Sequence, residues 1–299
     1  MAIGDIGLTS SMRSNLISLQ TTARLLGQTE ERLATGKRVN TAVDNPANFF
    51  AAQGHTSRAN QLTGLKDNIS EAIQTVKAAD SGIKGVLTTI ESLRGVLTQA
   101  RSAINDTVNS ATLLGNAAGT TGLGGQYNRL VEQLNNVVTD SSYKGTNFVS
   151  DSTKTLTVNF NENATTKLVM SGVNVYAGTG GLAISGGGAT AVAGVSGTIT
   201  SAMIDTAAEI DGVEASLNAA IATLQTNASA LAANLSTLTT RQTFISEMVN
   251  TLIVGATKLT EADTNEEGAN LLSLQTKQQL GTTALSISSQ AEQSILRLF

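Results

Sequence analysis

Apolar residues recur from Leu62 at alternating spacings of three and four: Leu62, Leu65, Ile69, Ala72, Val76, Ala79, Ile83, Val86, Ile90, Leu93, Leu97, Ala100 and Ile104. The matching spacing from Leu217 falls on Leu217, Ile221, Leu224, Ala228, Leu231, Leu235, Leu238, Gln242, Ile245, Val249, Leu252, Ala256 and Leu259, with Gln242 the one polar member. A 3.5-residue repeat sustained this long predicts a helix with a single narrow seam, and a seam needs a partner helix of like length. Each ladder covers 43 residues, about 63 Å of helix at 1.5 Å per residue. The two are predicted to pair with each other.

A shorter heptad at Met12, Leu16, Leu19, Ala23, Leu26, Glu30 and Leu33 predicts a first helix. Gly36 stops it, with Lys37 and Arg38 beside its negative end. Asn45 before Pro46 reads as an N-cap and first helical residue, since proline lacks only an N–H that has no partner there. The helix so opened is expected to reach about Ile104 and dissolve in residues 105–125, which hold five glycines. Tyr127, Leu130, Leu134 and Val137 mark a short helix. The period then drops to two: Leu156, Val158 and Phe160 alternate with Thr155, Thr157 and Asn159. With Lys167 to Met170 beyond a turn-rich Asn161 to Ala164, this is a hairpin that must lean on helices to persist.

Residues 172–200 include nine glycines among 29 and are expected to form loosely ordered turns, with room for another short strand pair. The second ladder helix is expected from about Ser201 to Leu259. A capping box at Thr264 and Glu267 is expected to open a last helix, apolar to Ile295, Leu296, Leu298 and Phe299. The fold class is therefore mainly α: a long antiparallel helical bundle or coiled-coil rod with a small β-hairpin region in the middle of the chain. The expected divisions are the first helix (1–45), a helical part with the hairpin (46–171), the Gly-rich middle (172–200), the returning helix (201–260) and the last helix (261–299). Gln242 is either a register-setting polar residue or a position facing the short helix and solvent.

Composition narrows the function. Aromatic content is 3%, with no Trp and one Pro, which suits helices packed through small side chains. A net charge of -4 and a pI near 5.1 offer no basic face for a phosphate backbone, so nucleic acid is not an expected partner. The absence of Cys excludes disulfides, thiol catalysis and thiolate metal sites. No run of 18 apolar residues exists, so membrane insertion is not expected. Asp5 and Arg13 interrupt the apolar stretch that a signal peptide needs, so export is expected to proceed without a cleaved signal.

The ends are unlike ordinary chain ends. Residues 1–29 hold only Asp5, Arg13 and Arg24 as charges, and residues 268–299 only Lys277, Glu292 and Arg297. A helix with few charges on any face is expected to be surrounded by protein on several sides. Burying a Leu or Ile gains roughly 1.5–3 kcal/mol, against roughly 1–2 kcal/mol to order each backbone residue, so a lone two-helix hairpin hardly breaks even. Other subunits must cover the rest, and the two ends are expected to order on assembly. The candidate assembly residues are Met12, Leu16, Leu19, Leu26, Leu33, Leu274, Leu280, Ile287, Ile295, Leu298 and Phe299. The candidate seam residues are Leu62, Leu65, Ile69, Ile83, Ile90, Leu97, Leu217, Leu224, Leu231, Leu238, Ile245 and Leu252.

The stretch from Leu33 to Ala47, Leu-Ala-Thr-Gly-Lys-Arg-Val-Asn-Thr-Ala-Val-Asp-Asn-Pro-Ala, closely resembles the N-terminal signature of bacterial flagellins. Glu266-Glu267, the block Leu274-Gln-Thr-Lys-Gln-Gln-Leu-Gly281 and the end Ser294-Ile-Leu-Arg-Leu-Phe299 are similar to the flagellin C-terminus. The resemblance implies a filament subunit that polymerises with itself, exported through the flagellum's own channel and added at the growing tip, hence extracellular. It implies an inner tube of paired terminal helices, a shell of three helices with a hairpin, and, with so short a middle, little or no outer domain. An export chaperone and cap and junction proteins are the implied partners. Arg94 matches one arginine of the patch that stimulatory flagellins present to the Toll-like receptor. Ser92 and Gly95 replace another Arg and a Glu, which implies weak or no receptor activation.

Other features carry less. His55 is the single histidine and reads as a helix-surface residue, because catalysis needs positioned partners. Glu30-Glu31 and Glu266-Glu267 are sequence neighbours that do not face each other on a helix. The glycines from Gly178 to Gly188 lack the strand, helix and Lys of a phosphate loop. Asn163-Ala164-Thr165 fits a glycosylation pattern that is common by chance. No catalytic, metal or cofactor site is expected. The alternatives are the hook–filament junction protein, also flagellin-like at both ends, and a secreted adhesive coiled-coil rod, for which three Tyr and six Phe supply little.

Overall fold

The computed structural model describes residues 10–104, 121–177, 181–182, 184, 204 and 206–296. Five helices occur among them: α1 (Ser10–Thr35), α2 (Pro46–Ile104), α3 (Gly122–Asp140), α4 (Ala207–Thr260) and α5 (Thr264–Leu296). Between α3 and α4 lie the pairs β1 (Ser142–Tyr143) with β2 (Thr146–Asn147) and β3 (Thr155–Asn159) with β4 (Lys167–Ser171), both antiparallel. The chain divides into two compact units, one of residues 1–60 and 248–299, the other of residues 61–247.

The second unit closes its core on the ladders. Of the thirteen positions from Leu62, eleven are buried, and Leu65 and Ile104 are half-buried. On α4 the series Leu217, Leu224, Leu231, Leu238 and Ile245 is buried, whereas Ile221, Ala228, Leu235 and Gln242 between them are half-buried. One row of α4 therefore fills the seam and the other flanks it. Gln242, half-buried in the flanking row, donates from Nε2 to Ser70 Oγ at 2.6 Å, a polar pair across α2 and α4. Thirty-one residues further along α2 and 31 back along α4, Arg101 pairs with Asp211, so the helices run antiparallel in constant register. Arg101 also reaches Glu214 (3.4 Å), and Arg94 lies between Glu91 (3.4 Å) and Glu214 (4.0 Å).

The third helix sits against α2 because glycine lets it. A Cβ at Gly82 would collide with Ser141, and one at Gly85 would meet Val137 Cγ1 at 2.9 Å. Leu123, Tyr127, Val131, Leu134 and Val138 form its buried stripe. The hairpins lean on helices. The Lys144–Gly145 turn between β1 and β2 has both residues at positive φ, the geometry that matches strand twist. Lys144 Nζ there meets Glu71 Oε2 at 2.7 Å. Val158 of β3 and Met170 of β4 face the core, and Arg241 of α4 lies 5.1 Å over the Phe160 ring.

Four expectations need correction. The segment after α2 ends at Thr121, because Gly122 to Gly125 already belong to α3; residues 105–120 lie outside the described residues. Phe160 lies just past β3, which ends at Asn159. The returning helix opens at Ala207 and not near Ser201, through a capping box in which Thr206 N donates to Glu209 Oε2 (3.2 Å) and Glu209 N to Thr206 Oγ1 (3.3 Å). The last helix is capped by Asp263, whose Oδ1 accepts from Asn265 N (2.9 Å) and Glu266 N (3.3 Å), and not by a Thr264–Glu267 box. The Asn45 cap stands, with Asn48 N donating to its Oδ1 at 3.1 Å. In the Gly-rich middle, Ala177 and Leu182 form a parallel bridge, and most of that region lies outside the described residues.

Tyr127 is fully buried, and its hydroxyl has no partner among the described residues, so burial pushes the phenol's pKa up. Tyr127→Phe removes a desolvated, unrewarded donor. It is expected to stabilise the fold by about 1–3 kcal/mol, read as a rise in the thermal unfolding midpoint by circular dichroism.

Candidate assembly interface

The first unit is built from two chain ends. Gly36, at φ +66°, breaks α1 where a β-carbon would be strained. The following residues pair with those after α4: Arg38 N and Val39 N donate to Thr260 O (2.7 and 3.2 Å), Ala262 N donates to Gly36 O (3.0 Å), and Lys37 bridges Glu261. This clasp starts α1 and α5 off antiparallel. Further along, Arg32 Nη1 donates to Glu267 Oε1 at 3.1 Å, with the Glu267 side chain 8% exposed. Further still, a β-carbon at Gly281 would meet Leu19 Cδ2 at 2.8 Å, so glycine sets how closely the pair approaches.

What this pairing covers is small. Among the described residues of α1, only Met12 and Thr29 are buried, and on α5 only Glu267. Of the candidate assembly residues, Met12 is buried, and Leu19, Leu26 and Leu274 are half-buried. Leu16, Leu33, Leu280 and Ile287 stay exposed, the last two above 60%. The Ile295 side chain, Leu298 and Phe299 lie outside the described residues. The seam residues Leu62, Ile69, Ile83, Ile90, Leu97, Leu217, Leu224, Leu231, Leu238, Ile245 and Leu252 are buried, and Leu65 is half-buried. Sequence reasoning missed further exposed apolar side chains of the first unit, among them Ile17, Leu25, Val43, Phe50, Ile253, Val254 and Leu272. It also missed the clasp and the Arg32–Glu267 pair, which join residues far apart in the chain. The role of Gly281 was missed as well, because a glycine inside a helical pattern does not by itself mark a close approach: Gly268 of the same helix meets nothing within 4 Å.

Between α1 and α2 a turn is tied by one carboxylate. Asp44 Oδ2 accepts from Asn40 N (3.1 Å), Thr41 N (2.9 Å) and Thr41 Oγ1 (3.1 Å), and these backbone donors hold its pKa below the usual 3.8. Its contribution is therefore complete well above pH 3.8, declines as pH falls below that value, and is gone once acid has passed the lowered pKa.

Among the described residues, eleven of the thirteen exposed large apolar side chains belong to the first unit and only Val169 and Phe244 to the second, a distribution that fits a structural protein whose first unit is covered by further protein. The chain matches the bacterial flagellin N-terminal helical region over residues 7–154 and the bacterial flagellin C-terminal helical region over residues 215–299. Flagellin FljN and Flagellin FljO of Caulobacter vibrioides are 30% and 29% identical to it, with 100% of each chain covered. A flagellin of Brucella melitensis is 26% identical over 97% of both. The chain belongs to the bacterial flagellins. It is a structural subunit of the flagellar filament, which lies outside the cell and serves swimming motility.

Gly281→Val should force α1 and α5 apart, with seeded filament growth lost while the helical signal of residues 61–247 persists. Adding Leu19→Ala removes the side chain in the way and should recover part of that growth, measured by sedimentation. Arg32→Ala leaves Glu267 buried without its cation and should cost about 1–3 kcal/mol, discounted for the partial exposure of Arg32, seen as a lower unfolding midpoint.

Proposed function

We propose that the chain builds the filament by laying the uncovered faces of α1 and α5 against neighbouring copies. Met12, Leu16, Leu19, Leu26, Leu33, Leu274, Leu280, Ile287, Ile295, Leu298 and Phe299 carry these contacts, and the seam residues hold each copy in shape. The observation that carries this reading is the crowding of exposed large apolar side chains onto the paired ends, where Ile17, Leu272, Leu280 and Ile287 are each more than 60% exposed. Copies related by one helical operator meet through different surfaces, and such contacts repeat without closing. The reading takes the flagellum's own channel as the route outward and an export chaperone, the cap and the junction proteins as partners. It gives the chain no catalytic step.

Removing the residues after Glu261 should abolish growth on filament seeds, and growth by the shortened chain would contradict the reading. Limited proteolysis of dilute monomer should trim both ends, which filaments should protect.

The receptor reading follows from Ser92 and Gly95, which stand where the resemblance expects an Arg and a Glu, next to the matching Arg94. Glu91 and Glu214 flank its guanidinium, and Ser92 and Gly95 stand beside it. The chain is therefore a weak or silent Toll-like receptor agonist, and a full-strength response in a receptor reporter assay would overturn this.

A further inference from the structure

A groove of about 540 Å3 opens beside the clasp in the first unit. Val39, Phe49, Ala52 and Ala256 give it an apolar floor, and Val39, Ala52 and Ala256 are themselves buried. Threonines form much of its rim, yet their donors are already committed. Thr35 donates to Glu31 O, Thr56 to Ala52 O, Thr257 to Ile253 O and Thr260 to Ala256 O, at 2.8–3.1 Å. Lys37, Asn40, Gln53 and Glu261 complete the lining, so the groove joins an apolar floor, which rewards an apolar side chain, to polar groups at which a backbone turn can hydrogen-bond.

The same short stretch of chain carries a matching projection. Val43 is 91% exposed, the highest value among the exposed large hydrophobics. It stands on the turn that Asp44 ties to Asn40 and Thr41. An apolar side chain held out by a tied turn loses little freedom on docking. Since Val43 is in water, it does not fill its own molecule's groove.

Symmetry supplies the occupant. In a filament every copy offers the same projection and the same groove, and a heterologous contact joins one to the other. A helical operator preserves distance from the axis, so the two surfaces must lie at similar radius. Val43 is eight residues from Thr35 and six from Phe49 in the chain, which keeps both surfaces in one locality. We propose that the Ala42–Val43 turn of one copy seats in the groove of a neighbouring second copy. This rests on the filament reading above and adds a specific contact to it.

The chain has no cysteine, so Val43→Cys and Gln53→Cys chains each carry one thiol, the second at the groove. Filaments grown from an equal mixture and briefly oxidised should give a disulfide-linked dimer of one chain of each kind, and filaments of either variant alone should not. Intact mixed filaments without that dimer overturn the proposal and leave the filament reading standing. Independently, Val43→Asp should raise the concentration needed for seeded growth roughly tenfold with unchanged helical content, while Val43→Leu should not. Val43→Asp chains growing as readily as the parent overturn the proposal, and this pair decides if a cysteine variant does not grow. Failure of the parent chain itself to grow on seeds counts against the filament reading instead.

Discussion

Two helices packed side by side bury one stripe each, and whatever apolar surface lies outside those stripes stays in water until something else covers it. That constraint governs the first unit. Its helices carry leucines and isoleucines around more of their circumference than one partner can reach, and few charges to solvate the remainder. The outcome is visible residue by residue: Met12 is buried, Leu19 and Leu274 are half-buried, and Leu280 and Ile287 are exposed. In the reading proposed for this filament subunit, each copy brings the cover for the next.

The second unit obeys the same rule with the opposite result. Its ladders hold apolar residues to narrow stripes, and both stripes find partners inside the molecule. Small residues take the place of aromatic bulk. Gly82 and Gly85 let α3 approach α2, and where the α4 seam turns polar at Gln242, Ser70 receives its amide. A polar pair on the half-buried flank of an otherwise apolar seam favours the register in which the two groups meet, with the modest energy of a partly solvated hydrogen bond.

Most of this was legible in the sequence where the signal was periodic or local. The ladders, the Asn45–Pro46 start, the Gly36 stop and the β3–β4 hairpin follow from spacing and from the chemistry of single residues. The errors fell where two neighbours compete for one role or where the partner is distant. Asp263 and Thr264 can both cap a helix. Glu267, which would close a box with Thr264, is instead taken by Arg32 from the other end of the chain. Thr206 and Glu209 carried a readable box that the Gly-rich segment before them obscured. The clasp had no sequence signal, because three backbone hydrogen bonds between Gly36–Val39 and Thr260–Ala262 depend on no side chain. Within the assembly surface the apolar character of the ends was legible. Which residues face each other and which face a neighbour was not, since a stripe read from periodicity does not say how many partners it meets.

Backbone hydrogen exchange, compared between dilute monomer and filament, tests the central claim most directly. The account predicts that protection gained on polymerisation concentrates in residues 10–35 and 264–296, with little change along the ladder residues 62–100 and 210–245. Equal protection of both ends in monomer and filament, or a gain confined to residues 61–247, would contradict it.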